Sequence, residues 1–215
     1  MPLKETTKQK VVKKLKEFEG SIPHLYLDTK GYVTVGIGHL IASKGDIEKV
    51  VMYTVKNDEA DTVATLDDKN LEYDTIKKQK KGLRASSYKK HTSLVMKEKD
   101  ILNQKKKHVD RFYLNLKEYY KINNGFKKNF DDFPENVKLA LFDMIFNLGF
   151  AGLKLKFPTF NKAVKEEDWA KAATESNRPD VSVTRNAYVK KLFTSLPKTA
   201  EAKKWTTPKH SQSLP

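Results

Sequence analysis

Two carboxylates and a hydroxyl stand close together near the amino terminus: Glu19, Asp28 and Thr34. A carboxylic acid can protonate a leaving oxygen, and a carboxylate can stabilise an oxocarbenium-like centre or activate water. Cleavage of a glycosidic bond uses that set. The hydroxyl adds a hydrogen-bonding group able to hold a water in place. Each residue alone also has a plainer reading. Glu19 could be an ordinary charge in a last helical turn, although the negative end of a helix favours Lys there. Asp28 could simply open the turn Asp28-Thr29-Lys30-Gly31, and Thr34 could be present only for its strand propensity.

The surrounding backbone raises the trio above those readings. Residues 19–40 hold four of the nine glycines, at 20, 31, 36 and 38. Lys30-Gly31 is a turn signal, and Tyr32-Val33-Thr34-Val35 is β-branched and aromatic, as a short strand should be. The glycines that follow point to close backbone approach or to positive φ. The segment reads as a helix end, a loop, a tight turn, a short strand and a Gly-rich corner. A Glu, an Asp and a hydroxyl on three adjoining elements could then face one cleft.

These residues resemble the motif of the phage T4-type lysozymes: Glu-Gly, then Asp, then Gly-aromatic-x-Thr-x-Gly-x-Gly-His. Here it reads Glu19-Gly20, Asp28, Gly31-Tyr32-Val33-Thr34-Val35-Gly36-Ile37-Gly38-His39, with the family's spacing kept. The resemblance implies an α+β, mostly helical, two-lobe fold with a small β element in the N-terminal lobe and a helical C-terminal lobe. It implies hydrolysis of the β-1,4 bonds between N-acetylmuramic acid and N-acetylglucosamine in bacterial peptidoglycan, by single displacement with inversion. Glu19 would be the general acid, with Asp28 and Thr34 placing the attacking water. The enzyme would act as a monomer, without metal or cofactor. His39 reads as a supporting, hydrogen-bonded histidine rather than a catalytic one.

The remaining elements follow from periodicity. Residues 5–18 form a helix with Val11, Val12, Leu15 and Phe18 at helical spacing, which delivers Glu19. Residues 41–93 are polar and lengthened relative to the family, although Val50, Val51, Val55, Val63, Leu66, Leu71, Tyr73 and Ile76 suggest that they fold. This insertion is expected either to modify substrate access or bind a partner, or to be a tolerated elaboration. A long amphipathic helix covers 95–121 and, by resemblance, joins the lobes. In that helix the family places an acidic partner for the histidine, but the alignment through Ile101-Leu102-Asn103-Gln104 puts Lys105 there. His39 therefore lacks the family's partner.

Pro134 to Gly149 is the most apolar segment, a helix surrounded by others and too short to span a membrane. By resemblance, Asn147 near its end faces the cleft. A single amphipathic helix is expected over 159–175. After the loop signal Asn177-Arg178-Pro179-Asp180, Thr184 is expected to cap a last helix. Arg185 then stands at the family's Thr/Asn-Arg position, which implies that it pairs with Glu19. The expected organisation is 1–94 for the N-terminal helix, β lobe and insertion, 95–121 for the inter-lobe helix, 122–205 for the helical lobe and 206–215 for a flexible tail.

Composition sets the limits. The 215 residues suffice for a substantial core, and the absence of cysteine excludes disulfides and thiolate chemistry. A formal net charge of +15 points to a polyanionic partner, for which nucleic acid, anionic membrane and acidic bacterial wall all qualify. No nucleic-acid motif of a recognised kind accompanies the Lys runs, so no nucleic acid is expected. No signal peptide or transmembrane segment is visible. A wall-degrading protein of this kind would be made in the cytoplasm and carried to the periplasm by another system or within a larger protein, as an endolysin or as an antibacterial effector with an immunity protein. The alternatives are a non-catalytic peptidoglycan-binding module and a basic nucleic-acid-binding protein.

Overall fold

The computed structural model describes residues 2–57 and 59–197; the expected tail, 206–215, lies outside them. The first helix, α1 (Glu5–Glu19), buries Thr7, Val11, Val12 and Leu15 along one face. It stops at Gly20, whose φ of 71° puts it outside the helical region while its N–H still closes on the Lys16 carbonyl. Glu19 is therefore the last helical residue, at the mouth of the turn into the sheet.

Three antiparallel strands follow in the order β1 (Ile22–Leu27), β2 (Val33–Gly36) and β3 (His39–Leu40). The expected loop after Gly20 is in fact β1. Pro23 weakens the strand signal, because proline offers no N–H to a ladder. It stands near the start of the strand, where its carbonyl accepts from Met96 N–H at 2.7 Å. Leu25 and Leu27 point into the core, and Tyr26 lies opposite Thr34 in the register. At the end of β2 the chain comes so close to a later helix that a Cβ on Gly36 would sit 3.3 Å from the Ile101 side chain, and its φ is +66°. Glycine meets both demands.

The inserted region folds into regular elements. A 3-10 turn (Lys44–Lys49) leads to the hairpin β4 (Tyr53–Lys56) and β5 (Glu59–Val63). Helix α2 (Leu66–Lys77), a second 3-10 turn (Ala85–His91) and β6 (Leu94–Val95) complete it, with β6 pairing back on β4. A capping box between Thr65 and Asp68 starts α2. Lys69 donates to the Glu48 and Val50 carbonyls, and Glu72 accepts from the Ser93 and Leu94 N–H groups, so α2 is tied to both flanks. Of the apolar residues expected to drive folding here, Val50, Tyr73 and Ile76 are buried. Val51, Val55, Val63, Leu66 and Leu71 are exposed.

Helix α3 (Glu98–Tyr119) runs between two separate hydrophobic clusters. Its Ile101 belongs to the cluster of Leu25, Val33, Val35, Ile47 and Met52. Val109, Tyr113 and Leu116 belong to the larger one, built with Leu141, Phe142, Phe160 and Phe193. One face of one helix thus serves both cores.

Helix α4 (Glu135–Lys156) does not end at Gly149, as expected; Gly149 (φ 66°, ψ 169°) kinks it, and the helix resumes to Lys156. At 22 residues α4 is long and apolar enough to cross a membrane by length and composition, unlike the shorter segment expected. Its Val137, Ala140, Leu141, Phe142, Met144 and Ile145 are nevertheless the heart of the larger core. The expected single helix over 159–175 is two, α5 (Pro158–Glu166) and α6 (Trp169–Glu175). Glu167 turns left-handed between them, and Asp168 caps α6. The last helix, α7 (Val183–Thr194), is capped by Ser182 rather than by Thr184.

Candidate active site

Glu19 ends α1 with its side chain 30% exposed, and its carboxylate is held by Arg185 Nη1 from the first turn of α7. The Arg185 side chain is only 6% exposed, between the Phe18 ring (5.1 Å) and the Phe146 ring (5.6 Å). Its Nε donates to Asp143 Oδ1 at 2.9 Å, and Asp143 Oδ2 accepts from Arg178 Nη1 at 2.8 Å. Arg178 also donates to Asn147 Oδ1, and its backbone is fixed by Asn186, which accepts from Arg178 N–H and donates to its carbonyl. Burial lowers Arg178 from its ordinary value, and the neighbouring Asp143 charge opposes that. An ionic chain thus runs Glu19–Arg185–Asp143–Arg178, from the end of α1 across α7 and α4 to the loop after α6, and Arg178 ties back to Asn147 on α4. Ion pairs this deep are geometric devices: desolvation offsets much of their attraction, but removing one member leaves an uncompensated charge.

On the sheet side, Asp28 and Thr34 are fixed by backbone. Asp28 Oδ1 accepts the N–H groups of Lys30 and Tyr32, both at 2.9 Å, and so closes the β1–β2 turn. Its other carboxylate oxygen takes no hydrogen bond among the described residues. Thr34, 4% exposed, donates from Oγ1 to the Tyr32 carbonyl at 3.1 Å, leaving oxygen lone pairs free to accept. Tyr26, the register partner of Thr34, links the two sides. Burial, then the negative charges of Glu19 and Asp28, push its phenol up to about 12.

His39 and Asn147 make no hydrogen bond to Glu19, Asp28 or Thr34 among the described residues. His39 Nδ1 lies 3.0 Å from His108 Nε2, the rings tilted with centroids 5.0 Å apart, so β3 is tied to α3 by a histidine pair. Burial lowers both residues, and the Lys105 and Arg111 charges push in the same direction; His108 falls to about 3. Lys105, which occupies the position of the expected acidic partner, does not bond His39. It is 2% exposed, with Nζ 4.0 Å over the Phe146 ring.

Of the residues expected at the site, Glu19 and Arg185 are in direct contact, and Asn147 joins them through Arg178 and Asp143. Asp28 and Thr34 flank the same β turn, with Tyr26 feeling both carboxylates. Sequence reasoning missed Tyr26, His108, Asp143 and Arg178. Asp143 left a signal, a lone acid in the apolar run 137–148, whereas Arg178 sat in a segment that reads as an ordinary loop. Among the described residues no three of His, Cys, Asp and Glu converge as a metal site. A concavity of about 340 Å³ lies between α6 and α7 beside Asn186 and Lys190, and none of the expected site residues lines it.

The lysozyme-like motif, the small sheet on a long joining helix and the helical core define a lysozyme-like protein. The family model described as "Pesticin: Bacterial toxin homologue of phage lysozyme, C-term" matches residues 11–170, about three quarters of the chain, and the chain belongs to that family. No curated protein matches the chain. Helix α7, with Arg185, and Arg178 lie beyond the matched residues and are bound to them through Glu19 and Asp143.

Proposed function

We propose that the protein hydrolyses the β-1,4 bond between N-acetylmuramic acid and N-acetylglucosamine in peptidoglycan, as the catalytic unit of a lysozyme-like bacterial toxin. The carrying observation is the placement of Glu19, a partly exposed carboxylate at a helix end that a buried arginine grips and whose charge, like that of Asp28, reaches the Tyr26 phenol. In this reading Glu19 gives its proton to the glycosidic oxygen as the bond to the anomeric carbon breaks. Asp28, through its uncommitted oxygen, takes a proton from a water that also donates a hydrogen bond to Thr34 Oγ1. That water attacks the opposite face, so the configuration inverts. Arg185 orients Glu19 but is itself shared with Asp143, which divides its pull.

A charge of +15 suits an acidic wall polymer, held by attraction that salt screens. A toxin working on the wall reaches it by delivery from elsewhere, and its producer needs protection by an immunity protein. The test is turbidity clearing of purified peptidoglycan by the protein beside Glu19→Gln. We expect the variant to lose at least about a hundredfold of the rate, with the α-anomer as the first product by NMR. Equal clearing by both proteins would move the acid elsewhere, and a β-anomer would replace inversion by retention.

A further inference from the structure

Lys105 is a buried cation of the region to which the mechanism above gives no task. It is 2% exposed, and its Nζ has no hydrogen-bond partner among the described residues. A buried ammonium normally finds a carboxylate or several carbonyls, because leaving it bare forfeits its hydration without replacement. Lys69 shows the ordinary solution in this same chain, donating to two backbone carbonyls. Lys105 instead sits over Phe146, the ring that Arg185 also covers from its own side. Two cations thus share one aromatic ring, and one of them holds Glu19.

We propose that Lys105 is a positioning residue of the site, a removable positive charge beside the Glu19–Arg185 pair that governs whether Glu19 holds its proton. The proposal rests on the reading of Glu19 as the general acid. The charge inventory supports it. Around the ring, Arg185 from α7 and Arg178 from the loop before it face two carboxylates, Asp143 on α4 and Glu19 on α1. A charged Lys105 makes the group net positive by one; a neutral one balances it. His39 on β3, His108 and Arg111 on α3, Tyr26 on β1 beside Glu19 and Tyr188 on α7 beside Asp143 are the other ionisable groups in reach. Burial raises both phenols, which stay neutral, and keeps both histidines from taking up the charge that Lys105 gives up.

Protonating Glu19 adds a further positive charge to this group, so it is easiest when Lys105 is neutral. Burial makes that state reachable: it brings Lys105 down to about 7, with Glu19's charge opposing and Arg185's assisting. A proton on Lys105 therefore disfavours one on Glu19, and the two charges act as a coupled pair. The arrangement with the proton on Glu19 is the one that can donate to a leaving oxygen.

Two measurements test this. In the pH dependence of peptidoglycan hydrolysis, Lys105→Met keeps the packing and removes the charge, so its alkaline limb should move up by about half a unit or more. Lys105→Arg fixes the charge and should move the limb down. A purely structural lysine would change the rate at all pH values without moving the limb, and a limb that stays in place in folded Lys105→Met overturns the proposal. The second measurement needs no activity: a ¹³Cε-lysine NMR titration in the wild type and in Glu19→Gln. Loss of the Glu19 charge should lower the titration of Lys105, and an unchanged midpoint overturns the coupling. A wild type that fails to cut peptidoglycan while Lys105 still responds to Glu19→Gln would refute the assigned substrate and keep the coupled pair.

Discussion

The two sides of the candidate site are built by opposite means. On the sheet side, Asp28 and Thr34 are held by hydrogen bonds to backbone groups no more than four residues away. On the helical side, Glu19, Arg185, Asp143 and Arg178 are held by side-chain ion pairs between residues 35 to 166 positions apart. Backbone-held groups keep their place as long as one turn persists. Groups held by long-range ion pairs keep theirs only while α1, α4 and α7 stay packed. Function and global stability are therefore coupled on the helical side and separable on the sheet side.

The largest effect should come from breaking the long-range side at its centre. Asp143, 3% exposed, compensates two guanidiniums at once. Asp143→Asn leaves both arginines short of charge and should cost about 3–5 kcal/mol, read by urea unfolding, with hydrolysis falling alongside. A loss under about 1 kcal/mol would mean that the two arginines find other partners, and the proposed coupling would not hold.

The sheet side should show the reverse pattern. Asn in place of Asp28 keeps an oxygen acceptor for the N–H groups of Lys30 and Tyr32, so unfolding should shift by no more than about 0.5 kcal/mol. The lost carboxylate should nevertheless lower hydrolysis by about a hundredfold. Equal damage to stability and rate would show that Asp28 serves the turn alone.

The same contrast decides what the sequence could reveal. The Glu19–His39 motif is local, so its turn, its β2 strand and its glycines could be read from 21 consecutive residues. Residue types there are dictated by backbone geometry, as at Gly36, where φ is +66° and a later helix crowds the Cβ position. β1 escaped because Pro23 suppresses the strand signal, and the α5–α6 break escaped because Glu167 adopts a left-handed turn with no glycine to announce it. Gly149 misleads in the other direction: its signal predicts a stop, but packing of Leu153 into the core carries the helix on. Arg178 and His108 were invisible because the side chains they serve at the site lie far off in sequence. Their partners, Asp143 and His39, stand 35 and 69 residues away.

A smaller effect should come from the histidine pair, which joins the sheet to α3 between the two sides. His39 and His108 share one hydrogen bond, and a bond between two ring nitrogens needs one of them bare. Burial holds both below the ordinary histidine value, His108 at about 3, so the folded chain refuses protons that the unfolded chain accepts below about pH 6.5. Stability should then be flat above that pH and fall as the pH drops from about 6.5 toward 3, by about 2 kcal/mol at pH 4 after allowance for the pair's partial exposure. His108→Phe, with no proton to take up, should flatten much of that slope while leaving the Asp28 turn intact. A slope unchanged by the substitution would place the acid sensitivity in the carboxylates of the ionic chain instead, and would make the helical side the first to open.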